Sequence, residues 1–166
     1  MRKVFHEQLG EDFPVEAFDR DAREGFLRIE REEGIPVKKG ARELLSWLKE
    51  QGAVVGLASS TAHDIVVQEL TDAGLVDYFQ AITGGDQITH SKPDPEIYLK
   101  ACEKLGIDPK EAYAVEDSYN GIRSAFSAGM KPLMVPDLLP PTGEMEEKAH
   151  RIFDDLLEVR DFLAGK

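Results

Sequence analysis

The chain has 166 residues, 42% of them hydrophobic, enough to bury one core with room for a small appendage. Its 32 acidic against 20 basic residues give a net charge of −12, a surface that repels phosphate backbones and excludes nucleic acid as a principal partner. No apolar run reaches the roughly 18 residues that span a bilayer, and residues 1–6 lack the apolar stretch of a secretory signal. A cytoplasmic, monomeric protein with no membrane partner is expected.

The first 36 residues read as a separate helical piece. Asp12 and Pro14 open a long helix with Phe18, Ala22, Phe26 and Ile29 on one face and no strand beside it. Gly34, Pro36 and the turn Lys38-Lys39-Gly40 make a hinge into a body spanning 37–166.

From Ala53 onward one pattern repeats: a short apolar run, a turn carrying polar residues, an amphipathic stretch and a glycine. This is βα repetition, which favours a parallel sheet flanked by helices. The runs are Ala53 to Ala58, Phe79 to Thr83, Ala112 to Val115 and Pro132 to Val135. Gly52, Gly74, Gly106 and Gly129 close the preceding helices, where a left-handed cap favours glycine.

The stripes Ala41, Leu44, Leu45, Leu48, then Ile65, Val66, Leu70, Ala73, then Ile122, Ala125, Phe126 have helical period and are expected to face the sheet. Cys102, the single cysteine, falls on the apolar face Ile97, Tyr98, Ala101, Leu105, which predicts burial. Pro136 to Glu147 reads as a Pro-rich acidic loop, Arg151 to Phe153 as a short edge strand and Leu156 to Leu163 as a closing helix.

Three polar clusters fall at carboxyl ends of predicted strands, where open α/β sheets place ligands. Ser59-Ser60-Thr61 offers hydroxyls beside a helix N-terminus, suited to a phosphate oxygen, although Ser and Thr also cap helices with no ligand involved. His90-Ser91-Lys92-Pro93-Asp94-Pro95 restrains Lys92 between serine and proline, either to aim one ammonium at an anion or as an ordinary helix start. Glu116-Asp117-Ser118 places adjacent carboxylates at a strand end. The pair suits a hard cation such as Mg²⁺, while Asp117 or Ser118 also serves as an N-cap. His63 and His90 read as a helix-surface and a loop residue.

Taken in order, Leu57-Ala58-Ser59-Ser60-Thr61, Ser91-Lys92-Pro93-Asp94-Pro95-Glu96-Ile97-Tyr98, Val115-Glu116-Asp117-Ser118 with Gly121-Ile122, and Ala128-Gly129-Met130 closely resemble the haloacid dehalogenase superfamily. The nearest branch is that of the β-phosphoglucomutase-like phosphatases, whose helical cap follows the first strand. The resemblance covers about Val37 to Val135, and residues 1–36 look like the second half of the cap.

The resemblance implies a Rossmannoid parallel sheet with a partial helical cap. It assigns Ser59 and Lys92 to catalysis, Ser59, Ser60, Thr61 and Lys92 to the phosphoryl group, and Glu116 and Asp117 to Mg²⁺ as cofactor. The implied activity is a Mg²⁺-dependent phosphatase acting on a small phosphorylated metabolite such as a sugar phosphate, through an aspartyl-phosphate. The alternatives are a phosphohexomutase or a non-catalytic phosphate- and Mg²⁺-binding pseudo-enzyme.

The chain departs from the family in one motif. No apolar strand ending in Asp-x-Asp-Gly is present; Asp19-Arg20-Asp21, for example, lies in a helical context. That motif carries the nucleophile, and its strand lies between the strands ending at Ser59 and Glu116. The expectation is a truncated piece whose first core strand is missing and which is inactive as it stands, with direct pairing of the two flanking strands as the competing arrangement.

Overall fold

A computed structural model describes residues 5, 8–34 and 36–165. The chain divides into two compact units, Met1–Pro36 and Val37–Lys166.

In the first unit, Pro14 precedes helix α1 (Val15–Glu33). Phe5, Phe13 and Phe18 cluster, with ring centroids 5.4 to 5.8 Å apart. On the predicted α1 stripe Phe18 and Ile29 are exposed, and the side chain of Phe26 lies outside the described residues.

The second unit runs α2 (Ala41–Glu50), β1 (Gly56–Ala58), α3 (His63–Asp72), β2 (Ala81–Thr83), α4 (Glu96–Leu105), β3 (Tyr113–Glu116), α5 (Tyr119–Ser127), β4 (Lys131–Met134), α6 (Gly143–Lys148), β5 (Arg151–Ile152) and α7 (Leu156–Leu163). The four cap glycines take positive φ as expected: Gly52 67°, Gly74 66°, Gly106 67° and Gly129 81°. Among the described residues no helix is long and apolar enough to cross a membrane.

The strands are parallel throughout but form two sheets, β1-β2 and β3-β4-β5. Among the described residues β1 and β3 do not pair, so the two flanking strands do not close up on each other. Each keeps an open edge. Val55 O and Ser59 N bond to β2, and the alternation of a parallel ladder turns the amide groups of Gly56 and Ala58 the other way. On β3, Ala112 O and Glu116 O bond to β4, so Tyr113 and Val115 present their backbone groups to the opposite edge.

The central strand β4 is covered on both faces, which explains why it is an apolar run rather than an alternating one, whereas β3, with its open edge, leaves Tyr113 and Val115 exposed. Leu133 and Val135 point to α2 and α7 and join Leu44, Phe153 and Val159. Met134 points the other way and packs with Ile122 of α5 and Met145 of α6. Leu133 is fully buried, and truncating such a leucine to alanine costs about 2–5 kcal/mol. A third cluster, Ile97, Tyr98, Ala114, Ala125 and Ala128, ties α4 and α5 to β3. Cys102 is buried, and that burial pushes its thiol pKa up.

Three expectations need correction. The Pro136 to Glu147 region is not all loop: α6 forms there, anchored by fully buried Met145 and by a bidentate pair between Arg123 and Glu144. Ile65 does not face the sheet and is exposed, while its neighbour Val66 is buried. Phe126 is also exposed, with the Lys148 ammonium 4.9 Å from its ring centre.

Candidate functional site

Ser59, Lys92, Glu116 and Asp117 meet at the carboxyl ends of β1 and β3, on the side where the two open edges face one cleft. The cleft has a volume of about 510 Å³, and Leu57, Ala58, Ser59 and Ser60 line it from one side and Val115, Glu116, Asp117 and Ser118 from the other. Lys92 and Lys38 also reach it, whereas Thr61 is not part of its lining.

Lys92 is set by the turn that starts α4, where the Lys92-Pro93 peptide is cis. Its ammonium pairs with Glu116 Oε1 and donates to Ala58 O at 3.3 Å, bridging the edges of β3 and β1. Both side chains are nearly buried, at 12% and 8% exposure, so the pair is shielded from solvent screening. The hydroxyl of Tyr98, one turn into α4, donates to the same Oε1, and the Lys92 ammonium lies 5.0 Å from the ring centre. Burial first, then the Glu116 charge, raises the Tyr98 pKa well above that of an ordinary tyrosine, which keeps the hydroxyl protonated and donating.

The other oxygen of Glu116 is also engaged. Ser118 Oγ donates to Oε2 at 3.2 Å and accepts from Gly121 N at 3.0 Å, which makes Ser118 the N-cap of α5. Gly121 has no Cβ, and one added there would collide with the Glu116 carboxylate. Glu116 is thereby fixed in place and its oxygens serve Lys92, Tyr98 and Ser118. Asp117 differs: its side chain is 48% exposed and meets Lys38 Nζ at 3.7 Å.

The Ser59-Ser60-Thr61 turn does not cap α3. The N-cap of that helix is Ala62, with no side-chain bond, and the first helical amide, His63 N, donates instead to Asp86 Oδ1 at 2.7 Å. Ser59 Oγ accepts from Thr61 N at 3.1 Å, and Thr61 O accepts from Gly85 N at 2.8 Å. The hydroxyls of Ser59 and Ser60 therefore line the cleft without a capping duty on α3.

Among the described residues, His90, Asp94 and Glu96 also bring possible metal-ligand atoms within 4.8 Å of one another. These atoms hold the loop together. Glu96 Oε1 accepts from Thr89 N, and Oε2 accepts from His90 N and meets His90 Nδ1 at 3.0 Å. The two amides are the main reason the Glu96 pKa is lowered.

Two site residues were not singled out by the sequence. Tyr98 falls on an apolar face and at the end of the motif that starts at Ser91, neither of which gives it a role, yet its place three residues after Pro95 puts its hydroxyl beside the Glu116 strand end. Lys38 was read as hinge. Its reach to Asp117 joins residues 79 positions apart, which local pattern does not encode.

The arrangement offers an anchored ammonium, two hydroxyls and an open carboxylate around one cleft, which are the parts needed to hold a phosphoryl group. Comparison with known proteins agrees. YhcW of Bacillus subtilis, a candidate phosphatase, is 38% identical over 151 residues, covering 90% of this chain and 67% of that protein. Hexitol phosphatase B of Escherichia coli is 40% identical over 105 residues, covering 63% of this chain and 47% of the relative, so the chain spans about half of that protein's length. Among solved structures, CbbY from Rhodobacter sphaeroides in complex with phosphate superposes with a TM-score of 0.75 at 28% identity, covering 89% of this chain and 67% of that one. The sequence model of the haloacid dehalogenase-like hydrolases matches residues 3–135, well over half of the chain. With the site motifs and the α/β fold in agreement, the chain belongs to the haloacid dehalogenase-like hydrolase family.

Proposed function

We propose that this chain forms the greater part of a Mg²⁺-dependent phosphatase acting on a small phosphorylated metabolite, with sugar phosphates as the first class to test. The observation that carries this reading is Lys92, whose ammonium is fixed by Glu116, Tyr98 and Ala58 O at the mouth of the cleft that Ser59 and Asp117 share. The names of relatives support the substrate class: hexitol phosphatase B, and the phosphorylated carbohydrates phosphatase of Thermotoga maritima, 34% identical over 133 residues.

Phosphoryl transfer is mainly positioning and charge stabilisation. In this reading Lys92 neutralises charge on the transferring group, and the hydroxyls of Ser59 and Ser60 hold its oxygens. Thr61 supports them through its amide bond to Ser59 Oγ. The donor set fits a hard, oxygen-seeking cation: Asp117 is an open carboxylate beside the cleft, with Glu116 next to it fixing Lys92. Bound there, Mg²⁺ would supply positive charge to the phosphoryl oxygens.

The nucleophile fits the open edges. A strand parallel to β1 and β3, inserted between them by whichever polypeptide supplies it, would pair with Gly56 and Ala58 on one side and Tyr113 and Val115 on the other. A carboxylate at its end would reach the cleft beside Lys92. That carboxylate attacks phosphorus, the bond from phosphorus to the substrate oxygen breaks, and the departing oxygen takes a proton to leave as an alcohol. Water then attacks the phosphorus of the acyl-phosphate, releasing inorganic phosphate and restoring the carboxylate. Residues 1–36 are assigned in this reading to a remnant of the helical cap, and 37–166 to the core.

The test is turnover with and without the strand. The 166-residue chain alone should not hydrolyse an aryl phosphate in Mg²⁺. Supplied with an apolar strand ending in Asp-x-Asp-Gly, it should release inorganic phosphate from a sugar phosphate. Lys92→Ala should lower that rate by about 10²–10³-fold. Robust turnover by the chain alone, lost in Asp117→Asn, would place the nucleophile on the chain itself and overturn the reading. An isomeric sugar phosphate in place of inorganic phosphate would identify a mutase.

A further inference from the structure

Lys38 is a charged group of the cleft to which phosphoryl transfer gives no task. Its ammonium stands between two carboxylates, 3.1 Å from Asp137 Oδ2 and 3.7 Å from Asp117 Oδ2. The backbone that carries it is pinned. Lys38 O accepts from Ala41 N at 3.1 Å, Gly40 holds the turn at φ 84°, and the neighbouring Lys39 pairs with Asp155 at 2.5 Å. The side chains of Lys38, Asp117 and Asp137 are 44%, 48% and 53% exposed, so the ammonium has room to move from one carboxylate to the other.

We propose that Lys38 is an internal counter-ion that competes with a divalent cation for Asp117 and retreats to Asp137 when the cation binds, so that its charge sets the affinity of the cation site. This rests on the assignment of Asp117 as the open metal-holding carboxylate. An ammonium and a divalent cation on one carboxylate repel each other, so cation binding must displace the Lys38 contact. Asp137 keeps the displaced charge paired. In the resting state one positive charge offsets two negative ones; without Lys38 the cleft carboxylate Asp117 loses this counter-ion.

The experiment is titration of the 166-residue chain with Mn²⁺ followed by electron paramagnetic resonance, and with Mg²⁺ by calorimetry. Lys38→Met should tighten binding about two- to fivefold, the range of a solvent-exposed ion pair. The gain should shrink at high ionic strength, and Lys38→Arg should keep the wild-type affinity. Asp117→Asn should abolish binding in both backgrounds. Unchanged or weaker binding in Lys38→Met, with binding still dependent on Asp117, would overturn the role of Lys38 and leave the cation site standing. Binding insensitive to Asp117→Asn, or none at all, would overturn the cation site and this inference with it.

Discussion

Tyr98 donates its hydroxyl to the same Glu116 oxygen that receives the Lys92 ammonium, so one carboxylate oxygen holds both a buried phenol and a buried cation. The phenol comes from α4, the lysine from the turn before it and the carboxylate from the end of β3. The three groups thus lock α4 to the β3 edge at the mouth of the cleft.

Removing the hydroxyl alone tests that lock. Tyr98→Phe preserves the packing with Ile97 and Ala114 but deletes a hydrogen bond to a charged group, for an expected loss of about 1.5–3 kcal/mol in urea unfolding. Glu116→Gln leaves the Lys92 charge unpaired and nearly buried, and should cost more, about 3–5 kcal/mol. A Glu116→Gln effect no larger than that of Tyr98→Phe would mean that Lys92 is well solvated without its partner.

The same pair gives an alkaline signature. Burial and the Glu116 charge raise the Tyr98 pKa, so the folded state holds the phenolic proton more tightly than the unfolded one. Stability is therefore fully present below the ordinary tyrosine pKa of about 10, and declines as pH rises from there through the folded value. Tyr98→Phe should flatten that decline in urea midpoints measured across the alkaline range, and an unaltered slope would assign it to other groups.

Gly121 allows the Glu116 carboxylate to rest against the first turn of α5. Because an added Cβ would collide with that carboxylate, Gly121→Ala should displace Glu116 and with it Lys92. The expected stability loss is about 1–3 kcal/mol, as for overpacking, despite the better helix propensity of alanine. Gly121→Ala should also weaken phosphate binding by the Lys92 cleft. A stabilised variant with intact binding would show that the carboxylate has space to yield.

Much of this was written in local pattern. The βα alternation, the cap glycines and the polar residues at strand ends predict the sheet strands and the cleft from composition and period alone. Strands β1 and β2 are shorter than their apolar runs because the ladder needs a partner. Ala53 to Val55 lie outside the strand, and there Val55 N donates to the side chain of Gln80 at 2.7 Å. Helix α6 escaped because a single buried residue, Met145, is too little to set a helical period in six residues. The roles of Tyr98 and Lys38 depend on contacts across the fold, which no local window contains.

Thr83 offers a test independent of any ligand. It is fully buried at the end of β2, and its Oγ1 has no hydrogen-bond partner among the described residues. A buried hydroxyl left unpaired costs about 1–3 kcal/mol, and valine fills the same space without one. Thr83→Val should therefore raise the unfolding free energy by about 1 kcal/mol; a clear loss would reveal a partner such as an internal water.

Asp155 contributes to the acid limb of stability, as do Glu96 and Glu144, whose pKa values are also lowered. The Asp155 carboxylate caps α7 by accepting from Leu157 N and Glu158 N, and it pairs with Lys39, 116 positions earlier in the sequence. The Lys39 hydrogen bond first, then the Glu158 amide, holds the Asp155 pKa below its usual 3.8. The folded state thus releases this proton more readily than the unfolded one. The stabilisation is complete above the unfolded value and is lost as pH falls through the lower folded one. Asp155→Asn keeps an acceptor for the helix amides but not the charge, so it should be less stable than wild type at neutral pH and converge with it in acid. Lys39→Met should remove the part owed to the ion pair and show the same convergence. A deficit in Asp155→Asn that stays constant across the acid range would assign the role of this residue to cap geometry alone.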